Sequence, residues 1–411
     1  MTGFGSKGGN QALNSFLNHF NDIQYKKDGH NMANVLSIQQ RDVLRPLLND
    51  INEAVISRYV FSPFDDLLIA HLKCCKAMEI DSDPIQAFNQ KCQLIQALTK
   101  ILTQLKEENW ILPVMYVSAV EIRQLGTVAD AYKRQIGDIS IQSKPDECLE
   151  EAASQLMACF RICANDNRAA PEVTKRKGMI NLINQLFKIY FKINKLHLYK
   201  PLARALENAN MKSQFSLAQT VTYNYFTGMK SLFDSDYKKA EELLSFAFNN
   251  CHPTAHKNHR LILVYLIPVK MLLGHMPNEN LLQKYNLKEF WSVIKAVKEG
   301  NLKRFDEALE ENSDFFWGNG IYLILEKLKM IAYRNIIKKV VAIVSTHQIP
   351  IQVFVTAIKY SQKEDICLEE VHCIIANLIY ENKIKGYISI QHQKLVVSKA
   401  NPFPPLSSVT A

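Results

Sequence analysis

Residues 368–399 read LEEVHCIIANLIYENKIKGYISIQHQKLVVSK, and this stretch decides the fold. Val371, Ile374, Ile375, Leu378 and Ile379 recur at the spacing of one helix face, which predicts an amphipathic helix over residues 368–381. Glu369 and Glu370 lie in its first turn, where negative charge suits the helix dipole. Cys367 stands where a polar N-cap is expected. Gly386 allows the chain to leave the helix sharply. Beyond it, Ile388 and Ile390 alternate with Tyr387 and Ser389, and Leu395 and Val397 alternate with Val396 and Ser398. A period of two on both sides of Gln391-His392-Gln393 predicts a β-hairpin over residues 387–399.

Working outward, residues 321–347 and 349–360 predict a long helix and a short one. Helix, helix, helix, hairpin is the order of a winged helix, spanning residues 321–399. Such modules dock on nucleic acid or protein and do no bond chemistry, which points to an assembly subunit.

Residues 11–360 are mostly helical in pattern, and no regular strand is predicted before Tyr387. Turn residues punctuate them at Ser62-Pro63, residues 81–84, Pro145, Pro171, Pro253, Pro277, Gly300, Gly318 and Gly320. Gly228, Tyr237, Ala240, Leu244 and Ala247 fall at the small and aromatic positions of a tetratricopeptide repeat, with a looser echo at Ala308 and Leu309. The predicted fold is mostly α: a right-handed stack of TPR-like helix pairs capped by a C-terminal winged helix. The expected divisions are an unstructured N-terminus (1–10), N-terminal helical repeats (11–170), the helical part of the final domain (171–320), the winged helix (321–399) and a Pro-rich tail (400–411).

The net charge of +9 is local in origin. Residues 175–275 hold 15 Lys/Arg against 5 Asp/Glu, and residues 331–399 hold 9 against 5. Such regions favour acidic partners. The nine cysteines are odd in number, and the Gly-rich start lacks the apolar core of a secretion signal, so free thiols in a reducing compartment are expected. The longest apolar runs are too short to span a bilayer. There is no phosphate-binding Gly loop, nucleophile elbow or HExxH, so an enzyme is not expected.

The helical stack ending in a winged helix, with Ala376-Asn377-Leu378-Ile379-Tyr380 leading to Ile384-Lys385-Gly386-Tyr387-Ile388, resembles a PCI domain. Further blocks carry the resemblance over residues 64–407: KEENW at 106–110, NQLFKIYFKINKLHL at 184–198, YLIPVKMLLGHMP at 265–277 and HQKLVVSKANPFPPL at 392–406. PCI domains occur in the proteasome lid, the COP9 signalosome and a translation-initiation complex. The resemblance implies a non-enzymatic subunit without cofactor that pairs its winged helix with a Sac-type (GANP-like) PCI scaffold. A small acidic Sem/Dss-type protein is implied as a second partner, and RNA or DNA as the cargo of the joined basic platform. The implied setting is mRNA export at the nuclear pore, with shuttling to the cytoplasm. The alternative is a subunit of a signalosome- or lid-like assembly, with the cap used for protein contacts only.

Lys383, Lys385, Lys394 and Lys399 flank the wing and His392 sits at its tip, which suits phosphate contact or a solvated face. Arg334, Lys338 and Lys339 either extend that platform or form the polar side of their helix. Lys188, Lys192 and Lys195 line a strongly apolar helix, where they meet the acidic partner or snorkel. Lys175-Arg176-Lys177 reads as a short import signal or a surface loop. Cys251, His252, His256 and His259 are the right types for zinc, but they crowd into nine residues beside Lys257 and Arg260. An inter-helix basic loop is expected there, and no metal. Cys159 and Cys163 are expected as buried thiols on an apolar helix.

Overall fold

A computed structural model of the protein describes residues 6–49, 51–106, 108–136, 146–167, 170, 172–209, 211, 214–362 and 365–409, with side chains from residue 13. Pro145, Pro171 and residues 1–5 lie outside them. The chain forms two compact units, Met1–Tyr223 and Asn224–Ala411.

Among its described residues the first unit has helices and turns and no strand. Its helices are α1 (Ser6–Tyr25), α2 (Gly29–Val35), α3 (Arg41–Leu48), α4 (Glu53–Tyr59), α5 (Phe64–Glu79), α6 (Pro84–Gln104), α7 (Leu112–Ile136), α8 (Glu147–Ala164), α9 (Met179–Lys192) and α10 (Tyr199–Asn208). Residues 6–10, expected to lack structure, thus open α1. From α5 to α9 each helix packs on the next, and α2 packs on α7. The turn between α5 and α6 is fixed chemically. Asp83 accepts from the amides of Ile85 and Gln86 at 2.9 and 3.1 Å, and Pro84 takes the first helical position, where no amide is needed.

A charged group crosses this apolar interior. Lys91 on α6 is fully buried and ion-paired to Glu121 on α7, itself 4% exposed. The other Glu121 oxygen accepts from Ser37 Oγ and the Ile38 amide, both at 2.9 Å. The first sixty residues are therefore tied into this core.

The helix α11 (Leu217–Phe233) crosses the division and leads to α12 (Tyr237–Asn250), α13 (His256–Leu272), α14 (Glu279–Lys284), α15 (Glu289–Glu299), α16 (Leu302–Glu311), α17 (Ser313–Gly318) and α18 (Tyr322–Glu326). The repeat-like spacing has its steric cause here. A Cβ on Gly228 would lie 2.7 Å from Leu244 Cγ, and Ala240, Leu244 and Ala247 are fully buried. Glycine lets α11 and α12 approach closely.

The winged helix follows: α19 (Lys329–Val344), β1 (Gln348–Pro350), α20 (Ile351–Ser361), α21 (Leu368–Tyr380), β2 (Gly386–Ser389) and β3 (Lys394–Val397). The sheet order is β1-β3-β2, antiparallel throughout. Ile349, Leu395 and Ile388 form one row across it and pack into a core with Ile337, Phe354, Val371 and Leu378. Three details differ from the sequence reading. The long helix is broken before Lys329, and β1 precedes Tyr387, too short to show a period of two. The exit from α21 is made by Asn382, at φ 55°, with Lys383 N–H bonded to Leu378 and Asn382 N–H to Ile379, both at 2.9 Å. Gly386 serves a close approach instead, since a Cβ there would lie 2.3 Å from the Val396 carbonyl oxygen. Cys367 does cap its helix: its sulfur accepts from the Glu370 amide at 3.4 Å, and Glu370 Oε2 accepts from the Cys367 amide at 2.9 Å.

Candidate nucleic-acid and partner interface

The hairpin presents the cations. Lys394 opens β3 opposite Ser389, Lys385 immediately precedes β2, and Lys399 follows β3. Lys385, Lys399 and His392 are exposed and Lys394 is half-buried. None of the three lysines forms an ion pair with a described residue. Their charges are therefore available to a partner, and β2 is one of the two edge strands of the sheet, β1 being the other. Lys383 is different: it pairs with Glu381 at 2.6 Å and its side chain is 17% exposed. Next to this surface, Tyr387 and Ile390 are exposed apolar groups. Ile390 lies in the turn rather than in β2, which is why its inward alternation fails.

Arg334 does not belong to the platform. It is 5% exposed and donates to the carbonyl oxygens of Lys383 and Pro404, at 2.9 and 2.6 Å. Phe403 covers the guanidinium at 5.7 Å, and burial pulls its pKa below the usual arginine value. The Pro-rich tail is thereby packed beside the wing, with Pro402 also accepting from the Lys385 amide at 2.9 Å. Lys338 and Lys339, one turn on, are exposed, and Lys339 Nζ reaches the Glu299 carbonyl at 2.8 Å.

Lys188 and Lys192 of α9, and Lys195 just after it, are mostly engaged within the first unit. Lys195 pairs with Glu150 at 2.7 Å, and Lys192 donates to Thr127 Oγ1 at 3.2 Å while remaining exposed. Lys188 is half-buried, and burial together with the nearby Arg123 charge holds its pKa below that of a free lysine. The run Lys175–Gly178 is a 3-10 turn whose Lys175 is 6% exposed, with its ammonium on the Leu105 carbonyl. It is not an open basic segment in the folded chain.

His259 is buried and stacked on Tyr285, ring centroids 5.7 Å and planes 23° apart, while His252 Nδ1 lies 2.7 Å from Thr254 Oγ1. Among the described residues, no three metal-type side chains gather into a group. Cys159 and Cys163 are buried as expected. No described helix is long and apolar enough to cross a membrane.

The sequence reading missed the Lys91–Glu121 pair. Its signal was present: Lys91 falls in step with Phe88 and Ile95, and Glu121 with Ser118 and Leu125, on the buried stripes of neighbouring helices.

Comparison with known proteins agrees with this architecture. The PCI domain matches residues 309–399. PCI domain-containing protein 2 of Xenopus laevis is 48% identical over 399 residues, covering 97% of this chain and 99% of that protein. The PCI domain-containing protein 2 homolog of Drosophila melanogaster is 44% identical over 400 residues, covering 96% and 99%. A Neurospora crassa protein called Protein CSN12 homolog is 35% identical over 329 residues, covering 72% and 73%. With identity of this level along nearly the whole chain and a winged helix at its end, the protein belongs to the PCI domain-containing protein 2 family.

Proposed function

We propose that the protein is a non-enzymatic scaffold subunit of a nuclear mRNA-export complex. Its winged helix pairs with a Sac-type (GANP-like) PCI scaffold, and the two together offer a basic platform to RNA or DNA at the nuclear pore. The observation that carries this reading is the hairpin: Lys385, Lys394 and Lys399 on one short element, none ion-paired to a described residue. Flexible ammonium groups follow a phosphate backbone without reading bases. The excess of 15 basic over 5 acidic residues at 175–275 supports an acidic Sem/Dss-type partner.

A second reading keeps the cap for protein contacts alone, in a signalosome- or lid-like assembly. The exposed Tyr387 and Ile390 beside the edge strand β2 favour it, since an edge strand with apolar neighbours accepts another chain.

RNA binding across a salt series separates the two. The full chain is measured alone and with a Sac-type PCI fragment and the acidic protein. Binding that strengthens in the assembly and falls steeply with salt supports the platform. Assembly without RNA binding in any state rejects it in favour of the second reading.

A further inference from the structure

Residues 305–326 run against the charge of the chain. They hold six acidic residues and no Lys or Arg, in a protein of net charge +9. The segment covers α16 from Phe305 onward, beyond its Lys303 and Arg304, together with α17 and α18, ahead of the winged helix. At its centre Trp317 is 56% exposed and lies flat on Tyr322, with ring centroids 4.4 Å apart and planes 10° apart. Leu323 beside them is 61% exposed.

The local fold holds the indole outward. Phe316 is fully buried and lies tilted against Phe290, so its neighbour on the short helix α17 takes the outer face. The chain then turns through Gly320, at φ +68°, to bury Ile321. An exposed indole laid on a half-buried tyrosine, with Leu323 beside it, leaves apolar surface in water, which is unfavourable unless something covers it.

The rim is acidic and unneutralised. Glu310, Glu311, Asp314 and Glu326 are exposed and form no ion pair with a described residue. Neighbouring cations are engaged elsewhere or with Asp306, and Arg260, 5.6 Å over the Phe315 ring, pairs with Glu289. Arg304 pairs with Glu299 at 3.2 Å, Lys329 with Asp306 at 3.0 Å, and Lys327 donates to Ser235 and Tyr237 at 3.2 and 2.8 Å. The Tyr322 hydroxyl is held above the ordinary tyrosine pKa by burial, then by the charges of Glu326, Glu310 and Asp306, against a smaller lowering by Lys329.

We propose that Trp317 and Tyr322, rimmed by Glu310, Asp314 and Glu326, dock an arginine-containing basic segment of a protein partner, with a guanidinium laid on the open face of the indole. Tryptophan is the best of the rings for a cation, and guanidinium stacks on it while its edge donates to carboxylates. A phosphate backbone is repelled by the same rim, so this face is chemically the opposite of the wing. The assignment does not depend on what the wing binds.

The test is fluorescence anisotropy of a short labelled peptide of alternating Arg and Gly, titrated with the full chain at physiological salt. A Lys-Gly peptide and a single-stranded RNA serve as comparisons. The Arg peptide is expected to bind more tightly than the Lys peptide. Trp317→Ala weakens it roughly three- to fivefold, as loss of a surface cation–π contact implies, and leaves RNA binding unchanged. Trp317→Phe retains part of the affinity. Glu310→Lys with Asp314→Lys weakens it at least as much as Trp317→Ala. Equal affinity for both peptides with no effect of Trp317→Ala, or no peptide binding at all, overturns the proposal. So does a concentration-dependent dimer lost in Trp317→Ala without a change in peptide affinity, which makes the face a self-association surface.

Discussion

Arg334 donates to the carbonyl oxygen of Pro404 at 2.6 Å while also holding that of Lys383, so one buried guanidinium on α19 joins the end of α21 to the C-terminal tail. Both bonds are charge-assisted and shielded from water. Arg334→Ala removes them and leaves two carbonyls unsatisfied, an expected cost of about 3 kcal/mol. Arg334→Lys keeps the charge but not the planar fork, and restores less than half. Chemical denaturation measures the loss. RNA affinity per folded molecule stays unchanged in both variants; a stable Arg334→Ala protein that no longer binds RNA contradicts the structural role.

The burial of Arg334 shows where sequence reading stops. Its charge suggests a surface, but Ile331 and Ile337 lie three residues to either side and both are buried, so the stripe passes through it. The apolar stripe of α21, the hairpin and the repeat-like Gly228 spacing were legible because each depends on local periodicity. The strand β1 was not, because three residues pair with β3 nearly fifty residues later and carry no pattern of their own. The platform itself was only partly legible. Lys385 and Lys399 are exposed and Lys394 is half-buried, none ion-paired to a described residue, whereas Lys383 and Lys195 meet Glu381 and Glu150 in ways that only the fold decides.

The Lys91–Glu121 pair predicts a coupled stability effect. Lys91→Met leaves a buried carboxylate without its counter-charge and costs about 3–5 kcal/mol. Glu121→Gln strands the ammonium but keeps an acceptor for Ser37 and Ile38. Lys91→Met with Glu121→Gln removes both charges together, so its loss falls below the sum of the single losses by about 2 kcal/mol. Additive losses in a double-mutant cycle show that the two charges do not sense each other.

His71 lies fully buried beside this pair, its Nε2 3.7 Å from Cys75 Sγ and its Nδ1 without a hydrogen-bond partner. Burial, then the Lys91 charge, lowers its pKa from 6.5 to about 3. The folded state keeps it neutral while the unfolded chain takes up a proton below pH 6.5. Its contribution is therefore complete above pH 6.5 and is lost as pH falls from there towards 3. The limiting slope is about 1.4 kcal/mol per pH unit. His71→Met, which cannot titrate, flattens the fall in stability between neutral pH and pH 5 in the same denaturation assay. An unchanged pH profile means His71 is not the responsible group.

The cysteines divide by location. Cys367 and Cys373 are exposed and the other seven are buried. Burial pushes the thiols of Cys74 and Cys159 up to about 11, and those of Cys75 and Cys92 to about 12. Brief alkylation of the native protein at mildly alkaline pH therefore modifies Cys367 and Cys373 first, with the rest following only on unfolding. Peptide mapping by mass spectrometry reads the order. Rapid modification of Cys74 or Cys75 means that the α5 core opens readily.

Charge at the wing gives the most direct test of the platform. Lys385, Lys394 and Lys399 each remove about 0.7 from the slope of log affinity against log salt if each meets a phosphate of a single strand. Lys385→Gln, Lys394→Gln and Lys399→Gln combined therefore flatten the slope by about 2 and weaken RNA binding at low salt far more than at high salt. Lys383→Gln has less effect, because its ammonium is already paired to Glu381. If the proposed scaffold docks on the exposed Tyr387 and Ile390, its binding survives the triple variant. A triple variant that loses scaffold and RNA together places these lysines in the protein interface. One that changes RNA affinity without changing the salt slope removes phosphate contact as the reason for their exposure.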